Sequence, residues 1–478
     1  MRKILLIGLF IFAISDGFGQ KIVLSEKEEL NLRNDDFMVI GQCRKQTVVY
    51  KHHEGIGEII FYNASFVKDR ISTLAFLPTS FLKIFFSNSA EHLSVFYVLK
   101  ENRKLNVYMS ALKEDFSWTE PVLLQSSPSG SYRNSHDYHF CSSEDNTKTL
   151  VYTTFDENEI TVLQARVVDE SLVSISDIKQ SITDRDLYIS ETASVSNDGA
   201  AFMVAGDVNT SKGNIEKLTL LSGAKGASTL TVTPMNLNQY AVSDIHLTMD
   251  NPNNNLYVSG YFADGRYSSP RGIYFSVFDM AAKGISSNHF TPLTLQISSS
   301  RTDLRDLKIR NVFLKKTGEI EIVAEKTYQN ARNVGSAPPV ISSSLLLSNM
   351  ADNTRIVQEF SYEEIALFNL KTDGSLAWSQ TILKDQTTTD DNGIFSSFGV
   401  LQHRLGHVFL FSDMSSKQSR LLACYVSANG ELTVKELQSS EEVDEWSLMP
   451  RSSVQLSKSE IVMPCVSKNY LCFLKISY

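Results

Sequence analysis

One short grammar recurs about eight times along this 478-residue chain. An apolar stretch leads through a tight polar turn into a second apolar stretch ending in a small or acidic residue, and one or two further strands follow. It reads ASVSNDGAAFMVAG at 193–206, VFLKKTGEIEIVAE at 312–325 and VLQHRLGHVFLFSD at 400–413. Units of roughly 40 to 60 residues with four strands each are the signature of propeller blades, because a lone blade cannot bury both of its faces. The pattern predicts an all-β propeller of seven or eight four-stranded blades. Two packed antiparallel β domains are the alternative use of the same strands, but the even unit length and the lack of a linker favour the ring.

Alternation of apolar and polar residues places the units at 36–77, 84–124, 139–179, 193–235, 245–293, 312–384, 398–439 and 453–478. The last unit ends before a fourth strand, while KIVLSEKEELNL at 21–32 precedes the first unit with no unit of its own. The N-terminal segment is therefore expected to pair with the last sheet and close the ring, which removes an exposed edge.

Arg2 and Lys3 precede an apolar run at 4–14, followed by Gly17-Phe18-Gly19. This is the layout of a secretory signal, so residues 1–19 are expected to be a signal peptide and 20–478 a single propeller domain. No later stretch reaches the ~18 to 20 apolar residues of a membrane-spanning helix. The expected location is the periplasm, the outer envelope or the extracellular space. With a net charge of -9 and no basic block, the chain lacks the electrostatic means of binding nucleic acid.

The five cysteines, Cys43, Cys141, Cys424, Cys465 and Cys472, form no zinc-type array. A two-residue turn at Lys468-Asn469 would set Cys465 opposite Cys472, leaving both a disulfide and a pair of buried thiols open. The sixth unit carries an insertion at 327–361 that includes Ala337-Pro338-Pro339 and Leu345-Leu346-Leu347. Such insertions emerge on one face of repeat folds and often bear the binding surface.

Asp373-Gly374-Ser375-Leu376-Ala377-Trp378 resembles the turn and outer strand of blades in the quinoprotein-like propeller superfamily, in which the Trp packs between neighbouring blades. The stretch from Trp378 through Asp390-Asp391-Asn392-Gly393 to Phe398 is similar to uncharacterised exported propeller-like proteins of Gram-negative bacteria. The resemblance implies a fold and a compartment, and no activity. A quinone cofactor is not expected, because the Trp-bearing turn occurs once and the chain holds only 3 Trp.

Tyr132, Arg133, His136 and Tyr138, in the polar and aromatic segment ahead of the third unit, are candidate contact residues. Arg266 and Tyr267 in the fifth unit are the others. His136 and His139 point to opposite faces of an extended strand, which disfavours a shared metal. Asp390-Asp391-Asn392-Gly393 lacks the spacing of a calcium loop and reads as a turn. No sialidase-type turn, nucleophile elbow or paired His-Glu motif is present, so no catalytic residue, metal or cofactor is assigned. The sequence thus points to a non-catalytic binding or scaffold module for protein or glycan partners. The alternative is a secreted glycan hydrolase whose carboxylates converge in the funnel.

Overall fold

The computed structural model describes residues 20–31, 35–129, 137–157, 160–182, 187–208, 213–293, 304–334, 355–403, 405–414, 420–437 and 446–478. They form eight antiparallel sheets, each counted as one blade in chain order, so the propeller has eight blades rather than seven. The inner strands, from blade 1 to blade 7, are Asp36–Cys43, Lys83–Asn88, His139–Ser142, Tyr188–Val195, Ala241–Asp250, Leu307–Leu314 and Gly399–His403. Blade 8 begins on two short pieces, Ser447–Leu448 and Val454–Gln455. Inner strands of most successive blades, including 7 to 8 and 8 to 1, lie against one another around the axis. Among the described residues no helix is long and apolar enough to cross a membrane.

The N-terminal strand closes the ring. Lys21–Leu24 pairs antiparallel with Tyr470–Ser477, with Ile22 opposite Ile476, and supplies the fourth strand that blade 8 lacks. Leu30 is buried with Val49, Tyr62 and Phe473, so the closing segment also seals the joint between blades 8 and 1. Cys465 and Cys472 are directly opposite, as the turn spacing implies, and both are free buried thiols.

Each blade packs on the next through large apolar side chains in one interface after another. The outer strand also hydrogen-bonds to the third-to-fourth-strand turn of the following blade. Ser72 of blade 1 donates to the Phe116 carbonyl (2.8 Å), Thr291 of blade 5 to that of Gly374 (2.6 Å), and Trp378 of blade 6 to that of Ala428 (3.2 Å). Trp378 therefore docks blade 6 on blade 7, with Lys315 stacked 5.3 Å from the ring centre.

Three inner strands begin four or five residues earlier than alternation suggests, at Tyr188, Ala241 and Leu307. Each contains a bulge, between Ile189 and Ala193, Ser243 and His246, and Ile309 and Asn311. In blades 5 and 6 one extra residue shifts the two-residue period by one, so the pattern becomes legible only after the bulge, and in blade 4 two extra residues interrupt it.

Blade 6 departs from the rest in length. Its two middle strands, Ile320–Val334 and Arg355–Leu370, run well beyond the blade as a hairpin and remain paired out to Val334 opposite Arg355. After the outer strand Leu376–Ile382 the chain turns back, and Gln386–Thr389 pairs with the extension across Glu359 to Tyr362. Second-to-third-strand turns share a face with the strand ends that lead into the next blade, so the hairpin stands beside the channel mouth on that face.

Candidate ligand-binding site

Bulges re-aim side chains, and two of them shape the mouth. In blade 5 the bulge holds Asp244 at φ +52, a conformation non-glycine residues adopt at a cost. Its carboxylate accepts a hydrogen bond from the Ile309 amide at 2.7 Å and lies 3.6 Å from His246 Nε2. This bond ties blade 5 to the bulge of blade 6, where Arg310 is the extra residue. Arg310 Nε donates to Glu325 Oε2 at 3.0 Å, and its side chain keeps 25% exposure.

Glu325 is the centre of a buried polar network. Lys384 Nζ lies 2.8 Å from its Oε1, and Ser397 Oγ donates to Oε2 at 2.7 Å. The Lys384 ammonium also donates to the Tyr362 carbonyl and to Gln386 Oε1, each at 3.0 Å. Burial pulls the Lys384 ammonium below its usual pKa range, against the opposing pull of Glu325. Gln386 in turn donates to the Ser412 carbonyl of blade 7 at 2.8 Å.

Tyr362 collects the cations around this network. Arg310 and Lys384 each lie 5.8 Å from its ring centre. Its hydroxyl accepts from Arg451 Nη1 at 3.0 Å. Arg451 belongs to blade 8, in the short 3-10 turn Pro450–Ser452 between the two inner pieces. Blades 6 and 8 are not neighbours, so this bond bridges across blade 7 at the channel mouth. Gly393 packs against the Tyr362 ring, where a Cβ would lie 2.5 Å from Cε2.

Charge is partitioned at this site. Glu363 and Glu364 are matched to Lys326, at 2.5 and 3.8 Å, and Tyr328 donates to Glu363 at 2.5 Å. Asp391 Oδ1 is occupied by Thr388 Oγ1 and the Gly393 amide, so the acidic turn is held by its own hydrogen bonds. Among the described residues, the terminal nitrogens of Arg310 and Nη2 of Arg451 make no hydrogen bond. The mouth thus presents two guanidinium edges beside a phenol, while Glu325 has its oxygens engaged from three sides. No group of three His, Cys, Asp or Glu suited to a metal occurs among the described residues.

The residues singled out from sequence fare differently. Tyr132, Arg133 and His136 lie outside the described residues. Tyr138 is fully buried between blades 2 and 3 with Phe96, Val107 and Val151, so its ring has no surface with which to touch a partner. Arg266 bonds Asp207 (2.6 Å) and Glu216 (3.0 Å) of blade 4 and so braces two adjacent turns. Tyr267 beside it is 86% exposed, on the face that carries the blade 6 hairpin. His139 stacks on Tyr152 at 5.1 Å. Sequence reasoning missed Arg310, Glu325, Tyr362, Lys384 and Arg451. The available signal was Glu325 itself, a carboxylate that follows the apolar run Ile322-Val323-Ala324.

A separate cavity of about 310 Å³ lies on the opposite face between blades 7 and 8, walled by Leu405, Val408, Tyr425, Thr433, Lys435 and Tyr478. Its Glu431 and Lys435 are exposed, and Lys435 rides 5.6 Å above the Tyr425 ring. Buried His407 also lines it and lies 2.8 Å from the buried Glu321 carboxylate.

No family model and no curated protein matches the chain. Solved structures that resemble it share little sequence. The apo form of prolyl oligopeptidase B from Galerina marginata is 10% identical at a TM-score of 0.42, aligning over 91% of this chain and 56% of that enzyme. This chain therefore spans little more than half of that enzyme's length. A polysaccharide lyase, Uly1, is 8% identical at a TM-score of 0.37, over 90% and 87% of the two chains. The dihydro-heme d1 dehydrogenase NirN aligns over 94% of this chain and 76% of its own at 10% identity and a TM-score of 0.36. At this level of similarity the eight-bladed assignment rests on the sheet topology itself.

Proposed function

We propose that the protein is a non-catalytic binding module that receives a protein or glycan partner on the face bearing the channel mouth and the blade 6 hairpin. The observation that carries this reading is the engagement of the mouth's carboxylates by the protein itself. Glu325 is bonded by Arg310, Lys384 and Ser397, and Asp244 by the Ile309 amide with His246 close by. Glycosidases need two carboxyl groups addressed to the sugar from either side of the bond to be cleaved. What the mouth offers a ligand is donors on a rigid ring. The apolar run at 4–14 and the small residues after it support export, with residues 20–478 as the working domain.

The test compares the full chain with a variant in which 335–354 is replaced by an Asn-Gly turn closing the Val334 and Arg355 pair. Both are titrated against acidic and neutral oligosaccharides on a biosensor, with reducing-end release followed in parallel. The module reading expects saturable binding that the shortened hairpin weakens, and no new reducing ends. Release of reducing ends abolished by Glu325→Gln or Asp244→Asn would replace it with the hydrolase reading, which the presence of Asp244, His246 and Glu325 at one mouth favours.

A further inference from the structure

We propose that the mouth recognises a sugar acid, one carboxylate on a hydroxylated ring, with Arg310 and Arg451 as the paired carboxylate donors. The inference rests on the binding-module reading and names its ligand chemistry. Both guanidiniums are fixed by the fold before any ligand arrives. Arg310 is held through Nε by fully buried Glu325, and Arg451 through Nη1 by the Tyr362 hydroxyl. Each keeps terminal N–H groups without a partner among the described residues, and Arg310 and Arg451 both reach solvent. Planar guanidinium edges match a carboxylate bidentately, and fixing them in advance removes the ordering cost that weakens flexible cations.

The surrounding charge selects among anions. Lys384 is enclosed by Glu325, Tyr362 and Gln386, so it adds positive potential without contacting the ligand. Glu363 and Glu364 lie close by around Lys326, Asp390 and Asp391 sit in the turn that packs on Tyr362, and the whole chain carries -9. A polyacidic peptide therefore meets repulsion outside the two arginines. A ligand with one carboxylate among neutral hydroxyls does not. Asp244 and His246, joined to the Arg310 bulge through the Ile309 amide, are the acceptor and donor available to those hydroxyls.

The experiment is calorimetric or NMR titration of the full chain with glucuronate, with glucose, and with a triglutamate peptide, on the wild type and on Arg451→Gln, Arg310→Lys and the double variant. Arg451 is exposed and its partner Tyr362 is neutral, so Arg451→Gln strands no buried charge and is expected to fold even where Arg310→Lys loosens Glu325. Glucuronate should bind at least tenfold tighter than glucose or triglutamate. Arg451→Gln should cost glucuronate about ten- to hundredfold in affinity, the worth of a charge-assisted hydrogen-bond pair, and leave glucose unchanged. Equal binding of glucose and glucuronate, indifference to Arg451→Gln, a preference for triglutamate, or no binding of any probe each overturns the sugar-acid assignment. Arginine-dependent binding accompanied by cleavage of oligoglucuronate would instead sustain the assignment and overturn the non-catalytic reading.

Discussion

Lys384 and Glu325 form an ion pair of 2.8 Å in which neither side chain is more than 1% exposed. The pair joins the end of the blade 6 outer strand to the blade's second strand, at the level where the hairpin leaves the ring. Breaking a buried pair from one side costs about 3 to 5 kcal/mol, because the remaining charge stays buried. The two sides differ here. Removing the Lys384 charge leaves Glu325 with Arg310 and Ser397, whereas removing the Glu325 charge leaves two cations facing each other. Glu325→Gln is therefore expected to destabilise more than Lys384→Met, and the double variant to lose less than the sum. Urea denaturation of the three variants measures this directly, and equal, additive losses would contradict it.

His139 gives the fold a defined acid sensitivity. Burial, with the Lys83 charge next, holds its pKa below 6.5, against Glu191 and Asp137. The folded state thus favours the neutral imidazole stacked on Tyr152. A folded-state pKa below the unfolded one means that the unfolded chain takes up the proton first, so stability falls as pH drops below 6.5. His139→Gln should flatten this part of the profile. Denaturation midpoints compared between pH 7.5 and 5 provide the check, and a wild type that gains stability in acid would reverse the sign.

The sequence made the ring legible because its strands alternate cleanly where they pack, as in Leu401, Val408 and Leu410 of blade 7. The closing strand was readable from arithmetic alone, one strand short at the C-terminus and one in excess at the N-terminus. The site was not legible, for a physical reason. Asp244 and Arg310 sit in bulges, where the period that reveals a strand is lost. Tyr362 and Arg451 meet only after blades 6 to 8 have assembled, 89 residues separating the two partners. Polar, aromatic sequence drew attention to Tyr138, whose ring the fold buries.

Closure predicts a large effect from a residue far from the mouth. Leu30 is buried between blades 8 and 1, its amide donates to the Asn469 carbonyl at 2.8 Å, and Ser25 Oγ accepts from the Phe473 amide at 3.0 Å. Leu30→Ala should cost about 2 to 5 kcal/mol, as for other buried leucines. Deleting residues 20–30 should do more, by exposing the Tyr470–Ser477 strand as a sheet edge that self-associates. Light scattering on heating separates the two, and a truncated chain with unchanged melting would refute the closing role.

Thiol chemistry offers a fourth readout. Burial pushes Cys43 and Cys141 up to about 11 and Cys424 up to about 12, so these groups hold no thiolate at neutral pH. A shared hydrogen bond with Cys472, and burial, push Cys465 up as well. A thiol-reactive dye should therefore label these four slowly in the native protein, while denaturant releases all five cysteines. Rapid native labelling of Cys43 or Cys424, located by peptide mapping, would show that the blades open locally.

Gly393 provides the sharpest single-residue test of how the mouth is built. Its φ is +68, and an added Cβ would lie 2.5 Å from Tyr362 Cε2 and 2.6 Å from the hydroxyl. Gly393→Ala therefore meets both the left-handed backbone and the aromatic ring that Arg451 grips. Gly226 is a matched control with φ +78 and nothing within 4 Å of the added carbon. Gly226→Ala should lose only the backbone contribution, about 1 to 2 kcal/mol. Gly393→Ala should lose that and about 1 to 3 kcal/mol more, because the ring must shift in a packed setting. The displaced Tyr362 would also release Arg451, so glucuronate affinity should fall in Gly393→Ala and hold in Gly226→Ala. Equal stability losses in the two variants, or unchanged affinity in both, would mean that Tyr362 is not held by the turn and that its position owes nothing to Gly393.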